Sequence, residues 1–514
     1  MKKIQIIFLF LVLIIAGCKK DFDEINTNPN GPDKVTNIGL LLPNVIRSSV
    51  SSQFYNSYAR GSVAGNLVAS DYASNFSNWA RSDAAGYFLW NFYDYIRDLN
   101  DAISLAEGQG LNNYKGVALV LRSWMFQCLT DMYGPIPFRE AAQAKLQEVF
   151  SPAYETQSDV YAGLLQDLEE ANSILGTSDE TVIGDILYGG NIARWKEFAN
   201  GLSLRLLMRE SARVDVSSKI TAIVNDPAKY PLFGSFEDQA ALQFNDDREA
   251  NYSPFYTASN FSTETKVSKQ LIDTLKAFND KRLRVYALPT PNSSATGPNG
   301  ARPDTSAFVY AGELNGTGKF ADANVSSPMG MLWMPFKFDQ ELASKTAAQG
   351  IILTYSEVQF ILAEAAERGL ISGGSGAAET YYLKGIKDQF NYYADRIPSS
   401  YASSYLKLSA SDIIADNDYL QQEGVAYTGG SERKLQKIWL QKWIASYLVG
   451  YEGWFEWRRT GYPNIPIGPV GPGYIPRRAL YPADEMRINE EHYNQAVQML
   501  GGPDALNTKG WWDK

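Results

Sequence analysis

A chain of 514 residues with 45% hydrophobic and 13% aromatic content can fill one large core, although length alone would allow about three domains. The net charge of -10 argues against nucleic acid as a partner, because an acidic surface repels phosphate backbones and anionic headgroups alike. A single histidine, His492, excludes metal sites of the H-E-x-x-H kind and leaves any serine triad dependent on that one residue.

The chain opens on Lys2 and Lys3, followed by an apolar run over residues 6–15 that reads as a secretory h-region. A bilayer span needs about 18 apolar residues, so the run is too short to cross a membrane. Ile15-Ala16-Gly17-Cys18 resembles a bacterial lipobox, which implies removal of residues 1–17 and acylation of Cys18. Several acyl chains give durable anchoring. Lys19 is not the Asp that commonly holds lipoproteins at the inner membrane. Residues 18–34, acidic and then rich in Asn, Pro and Gly, read as a tether. Residues 35–514 read as one body, with a helical scaffold at about 35–215 and 351–514 and a loop-rich insertion at about 216–350.

Residues 116–133 carry few charges and predict an inner helix, stopped by Gly134-Pro135-Ile136-Pro137 because proline cannot continue it. Cys128 lies in this helix; with Cys18 committed to lipid it has no disulfide partner and is expected to be buried. Residues 160–174 and 192–211 predict amphipathic helices, with Glu169, Glu170, Lys196, Glu197 and Arg209 expected on solvated faces. From 216 to 350 prolines, glycines and Asn/Ser clusters break the pattern. Residues 355–368, a Gly/Ser turn at 372–376 and residues 377–393 then form a helix pair with small or aromatic residues at Ala363, Ala366, Gly369, Ala378, Tyr382 and Ile386. The pair resembles a tetratricopeptide unit.

Enzyme motifs fail on their details. GELNGTGK at 312–319 has one residue too many for a phosphate loop, and Phe320 stands where Ser or Thr must hold magnesium, so it reads as a glycine turn. Ser431 and Lys434 match S-x-x-K by chance, with Ser431 expected to cap a helix. His492, after Glu490 and Glu491, reads as a surface or capping residue. No catalytic residue is assigned. A carboxylate pair of the glycosidase type, which needs no histidine, stays open as an alternative, as does a purely structural role.

Residues 437–463, KIWLQKWIASYLVGYEGWFEWRRTGYP, residues 475–495, IPRRALYPADEMRINEEHYNQ, and the closing Trp511-Trp512-Asp513 resemble the SusD/RagB family. So do the lipobox, Tyr133-Gly134-Pro135-Ile136-Pro137, Asn279-Asp280-Lys281-Arg282-Leu283 and the helix over 357–367, in that order; Lys281 replaces the proline expected there. The resemblance is strongest to the branch in which Gln-Lys-Trp and Glu-Gly-Trp precede Arg458-Arg459-Thr460-Gly461. It implies a mostly α fold, with tetratricopeptide-like helix pairs as scaffold and a loop-rich insertion as ligand face. It also implies a lipid-anchored, surface-exposed outer-membrane protein of Bacteroidota. Such a protein binds oligosaccharides, or alternatively peptides, hands them to a SusC-like TonB-dependent transporter, and is not an enzyme.

A glycan ligand calls for aromatic faces to stack on sugar C–H surfaces and fixed polar groups to hold the hydroxyls. Residues 71–83, DYASNFSNWARSD, offer both through Asp71, Tyr72, Asn75, Asn78, Trp79, Arg81 and Asp83, in the region that contributes such contacts in the family's glycan-binding members. Trp79 ranks first because its polar neighbours poorly suit a core tryptophan. A second stretch, 251–261 with Tyr256, joins Tyr310 and Trp333, although Trp333 in GMLWMPF reads equally well as core. Trp439, Trp443, Trp454 and Trp457 fall at helical spacing and read as packing. Asp246-Asp247 could supply oxygen ligands to a structural calcium, with solvated loop charges the simpler reading; no other cofactor is expected.

Overall fold

The computed structural model of the chain describes residues 37–71, 76, 88–258, 264–297 and 302–514. The lipobox, the tether and most of the 71–83 stretch lie outside these residues. Helices of nine residues or more are α1 Leu42–Asn56, α2 Phe92–Gln109, α3 Asn112–Tyr133, α4 Gln157–Ile174, α5 Ile192–Glu210 and α6 Ser217–Asn225. They continue with α7 Lys269–Ala277, α8 Tyr355–Glu367, α9 Gly374–Arg396, α10 Ser431–Ala445, α11 Glu452–Thr460 and α12 Glu490–Met499. Among the described residues, no helix is long and apolar enough to cross a membrane.

The inner-helix reading of α3 holds: from Gly116 to Tyr133 every residue except Arg122 is buried, Cys128 included. The helix packs against α2, α4 and α5. It ends where Gly134 turns to φ 85° and donates its N–H to the Thr130 carbonyl, after which Pro135 bars another turn. Hydroxyl and amide side chains start its neighbours. Thr156 Oγ1 accepts from Asp159 N at the head of α4, Asn191 Oδ1 from Arg194 N at α5, and Thr354 Oγ1 from Glu357 N at α8. Helices α8 and α9 form the expected pair; their close approach needs Gly385, where a Cβ would lie 2.8 Å from the Phe360 ring.

Among the described residues six short strands, β1 Val68–Ser70, β2 Ile136–Pro137, β3 Tyr154–Glu155, β4 Ala240–Gln243, β5 Thr265–Val267 and β6 Gln349–Leu353, make three antiparallel ladders: β1 with β5, β2 with β3, and β4 with β6. The loop-rich middle supplies β4 and β5, and each pairs with a strand that the helical parts carry. Those two ladders stitch the middle onto the scaffold, and the buried apolar residues form one cluster from Ile38 to Trp512.

Arg209 corrects the sequence reading. It is 2% exposed and sits between Asp131 of α3 and Glu452 of α11, the centre of a buried ion network. Arg205 grips Glu357 through Nε and Nη2 at 2.9 and 2.7 Å, and Lys442 Nζ reaches Glu456 at 3.0 Å. Arg459 holds Glu364 at 2.8 and 2.6 Å, and Arg458 meets Asp513 at 2.9 Å. A solvated face was expected because Arg209 is polar at a helical period; burial is tolerated because opposite charges arrive from other helices. Burial opposes the charge on Glu364, yet Arg459 holds its carboxyl below the usual range. The Arg458-Arg459 motif is therefore scaffold chemistry. So is Asp280-Lys281-Arg282, in which the buried Arg282 binds Asp280, Tyr419 and Gln441.

Candidate functional site

The antiparallel register of β1 and β5 sets Val68 against Val267 and Ser70 against Thr265, and the Asp71 N–H then donates to the Glu264 carbonyl at 3.0 Å. Asp71 leads into the 71–83 stretch and Glu264 follows the 251–261 stretch. The ladder end therefore holds the first residue of the 71–83 stretch beside a residue three positions past the 251–261 stretch. Tyr72, Asn78, Trp79 and Arg81 lie outside the described residues.

Asp71 is half-buried, and burial raises its carboxyl above the ordinary range against the pull of Lys319 and Lys266. Lys266, on β5, is buried, and burial pushes its ammonium down to about 8 although Glu313, Asp322 and Asp71 oppose the shift. Asn315 fastens the neighbouring glycine turn to β1, donating Nδ2 to Val68 O at 2.7 Å. The turn itself is structural, since Gly316 at φ 77° passes so close to Gly468 that a Cβ would lie 2.8 Å from its Cα. Beside it a small pocket of about 20 Å³ is lined by Val63, Phe76, Ile467, Val470 and Tyr474, so that Phe76 of the 71–83 stretch reaches an apolar recess.

Tyr256 is half-buried and belongs to an aromatic cluster. Its ring centroid lies 5.5 Å from Tyr252 and 5.5 Å from Phe336, which is 44% exposed. Lys345 Nζ stands 4.3 Å above the Tyr252 ring and donates to the Tyr252 hydroxyl at 3.0 Å. Arg47 on α1 anchors the loop through the Ala250 and Tyr252 carbonyls. A second pair, Tyr55 on α1 at 41% exposure and Tyr58 in the π-helical turn Ser57–Gly61 that follows, meets the same loop through Phe255, 5.3 Å from Tyr58. Sequence reasoning missed Tyr55, Tyr58, Phe336 and Lys345; the spacing of Tyr55 and Tyr58, three apart on a helix, was the available signal. The assembly offers stacking faces beside fixed donors and acceptors.

Trp333 is a core residue, not a ligand platform. It is 4% exposed and enclosed by Tyr447 at 5.2 Å, Tyr393 at 6.3 Å and Tyr286 at 6.4 Å. Its apolar neighbours in GMLWMPF pull that segment inward. Tyr310 is half-buried, and its carbonyl accepts from Lys276. Trp443 and Trp454 are fully buried; Trp439 donates its indole N–H to Glu364 at 2.9 Å, and Trp457 lies under the Arg477 guanidinium.

Asp246 and Asp247 are exposed, and Asp247 accepts from Asn251; the described residues gather no group of three or more His, Cys, Asp or Glu fit for a metal ion. Ser431 is the first residue of α10 rather than its cap, a place taken by Gly430, and its side chain bonds Glu367. His492, in the first turn of α12, pairs Nδ1 with Asn489 at 3.0 Å. Burial drives the Cys128 thiol well above its ordinary range.

Over residues 29–482 the chain matches the SusD-like family described as starch-binding, associating with outer membrane. A curated relative, SusD-like protein P2 of Formosa agariphila, is 25% identical over 198 residues, covering 34% of this chain and 38% of that protein; the chain thus spans well under half of that relative's length. A Bacteroides vulgatus outer membrane protein linked to nutrient binding is similar at 28% identity and TM-score 0.74, over 93% of this chain and 100% of its own. A SusD homolog from Bacteroides fragilis, at 25% identity and TM-score 0.74, covers 93% and 99%. A chitin-binding protein, at 27% identity and TM-score 0.72, covers 92% and 99%. A family match running from residue 29 through residue 482, joined to a fold shared along almost the whole length of these solved chains, makes this protein a member of the SusD-like family of outer-membrane-associated starch-binding proteins.

Proposed function

We propose that the protein is a cell-surface lipoprotein that captures glycan oligomers and passes them to a SusC-like TonB-dependent transporter. Cys18 carries the acyl chains, and residues 18–34 space the body from the membrane. The observation that supports the ligand reading is the ladder end where Asp71, the first residue of the 71–83 stretch, lies beside Glu264, which follows the 251–261 stretch in sequence. Trp79 stacks on a sugar ring, Asn78 and Arg81 hold its hydroxyls, and Tyr72, Asp71 and Tyr256 extend the platform. Exposed aromatics at Tyr55 and Phe336 agree with that role, because uncovered ring faces cost hydration free energy unless a ligand covers them. Family membership, and a chitin-binding protein among the similar folds, favour a glycan over a peptide.

The test is an array carrying glycans and peptides, probed with the mature chain: selective retention on glycans is expected, and retention on peptides alone contradicts the reading. Detergent purification from the native host should bring down a large β-barrel, and repeated isolation of the protein alone, even after crosslinking, counts against delivery. Cys18→Ala should abolish fatty-acid labelling and leave the body folded; a mutant that still labels removes Cys18 as the anchor.

A further inference from the structure

A second cleft, which shares no lining residue with the pocket beside Phe76, opens between the loop entering α5, strand β4 and the end of α9. It is open to solvent and holds about 380 Å³, against about 20 Å³ for that pocket. Its wall is built rigid. The Asp185 carboxylate accepts from Leu187 N at 2.9 Å, Tyr188 N at 3.0 Å, Gly190 N at 2.8 Å and the Trp195 indole N–H at 2.8 Å, which fixes the loop at four points. Across the ladder Gln349 Nε2 donates to Gln243 Oε1 at 3.1 Å, and Gln243 Nε2 to the Thr346 carbonyl at 2.7 Å. Arg396 Nη2 ties the same carbonyl to the end of α9 at 3.0 Å.

Charges in the lining cancel, Arg194 and Arg396 against Glu237 and Asp395. A phosphate or a peptide carboxylate calls for a net positive site, which this is not. Phe236, half-buried, shares the lining with three glutamines, while Tyr188 and Tyr392, 8% and 4% exposed, back the wall. Gln239 is 5% exposed, yet its Nε2 has no hydrogen-bond partner. A buried amide donor left unbonded costs stability unless something completes it. Rings, amides and balanced charge suit a neutral, hydroxyl-rich ligand.

The geometry points to this cleft as a second oligosaccharide-binding site, separate from the face at Asp71. Chitohexaose and maltoheptaose, each carrying a diazirine at the reducing end, are photo-crosslinked to the mature chain and the labelled peptides are mapped by mass spectrometry. At least one of the two labels residues 187–194 and 236–243. Trp79→Ala, which disables the other face, leaves that labelling in place. Arg194→Ala and Tyr392→Phe, the latter keeping the ring and removing only a hydroxyl, each reduce it by roughly three- to tenfold at unchanged melting temperature. Absence of label from both segments with both glycans overturns the assignment, whatever happens at the Asp71 face, and so does labelling that neither cleft variant changes.

Discussion

Arg209 and Phe336 stand for two regions that treat their side chains in opposite ways. Arg209, 2% exposed, is clasped between carboxylates from α3 and α11, while Phe336, 44% exposed, rests on Tyr256 at the surface of a loop. In the scaffold, charges are taken out of water and answered by opposite charges from distant parts of the chain. On the loop-built face, aromatic rings are left uncovered and are supported from beneath by Phe255 and from the side by Lys345. The first arrangement fixes the fold; the second leaves ring faces in contact with water.

The sharpest way to break the contrast is Arg209→Leu. Asp131 would then lie buried without a cation and Glu452 would keep only Arg205, 3.3 Å away, so stability should fall by about 3–5 kcal/mol, read from urea unfolding. A loss near zero would mean that the network carries little of the fold. Asp388 sharpens the same point from the other side, because it is a scaffold carboxylate stabilised by the Phe236 N–H at 3.1 Å rather than by a cation. Burial pushes it from the ordinary 3.8 up to about 7. Between those values the folded chain keeps a proton that the unfolded chain releases, so the stability from this group is present in acid and lost as pH rises through about 7. Asp388→Asn should therefore stabilise by about 2 kcal/mol at pH 8 and match the parent near pH 4. Equal stability at pH 8 would count against the shift. Phe336→Ala should change stability least, by about 0.5 kcal/mol or less, as for other substitutions at the surface. A large fall in its melting temperature would move Phe336 into the core.

How far the molecule was legible follows from what each signal can see. Helix α3 was readable because its apolar residues lie in one run and two prolines end it, and the α8/α9 pair because small residues recur at helical spacing. Arg209 was misread because periodicity places a charge on a helix but cannot see partners 78 and 243 residues away. Trp333 was undecidable between core and ligand face until Tyr286, Tyr393 and Tyr447, drawn from three separate segments, closed around it. The Tyr252, Tyr256, Phe336 and Lys345 cluster was only partly visible for the same reason. Tyr256 lay in a stretch already marked by its composition, while Phe336 and Lys345 arrive through loop packing that no local pattern encodes.

The claim that binding belongs to the loop-built face is tested most directly by calorimetry of Trp79→Ala against the glycan the array selects, with thermal melting alongside. Losing one stacking contact costs on the order of 1 to 3 kcal/mol, so affinity should fall by about ten to more than a hundredfold while the melting temperature holds. Unchanged affinity would remove Trp79 from the site, and a large drop in melting temperature would make it a core residue.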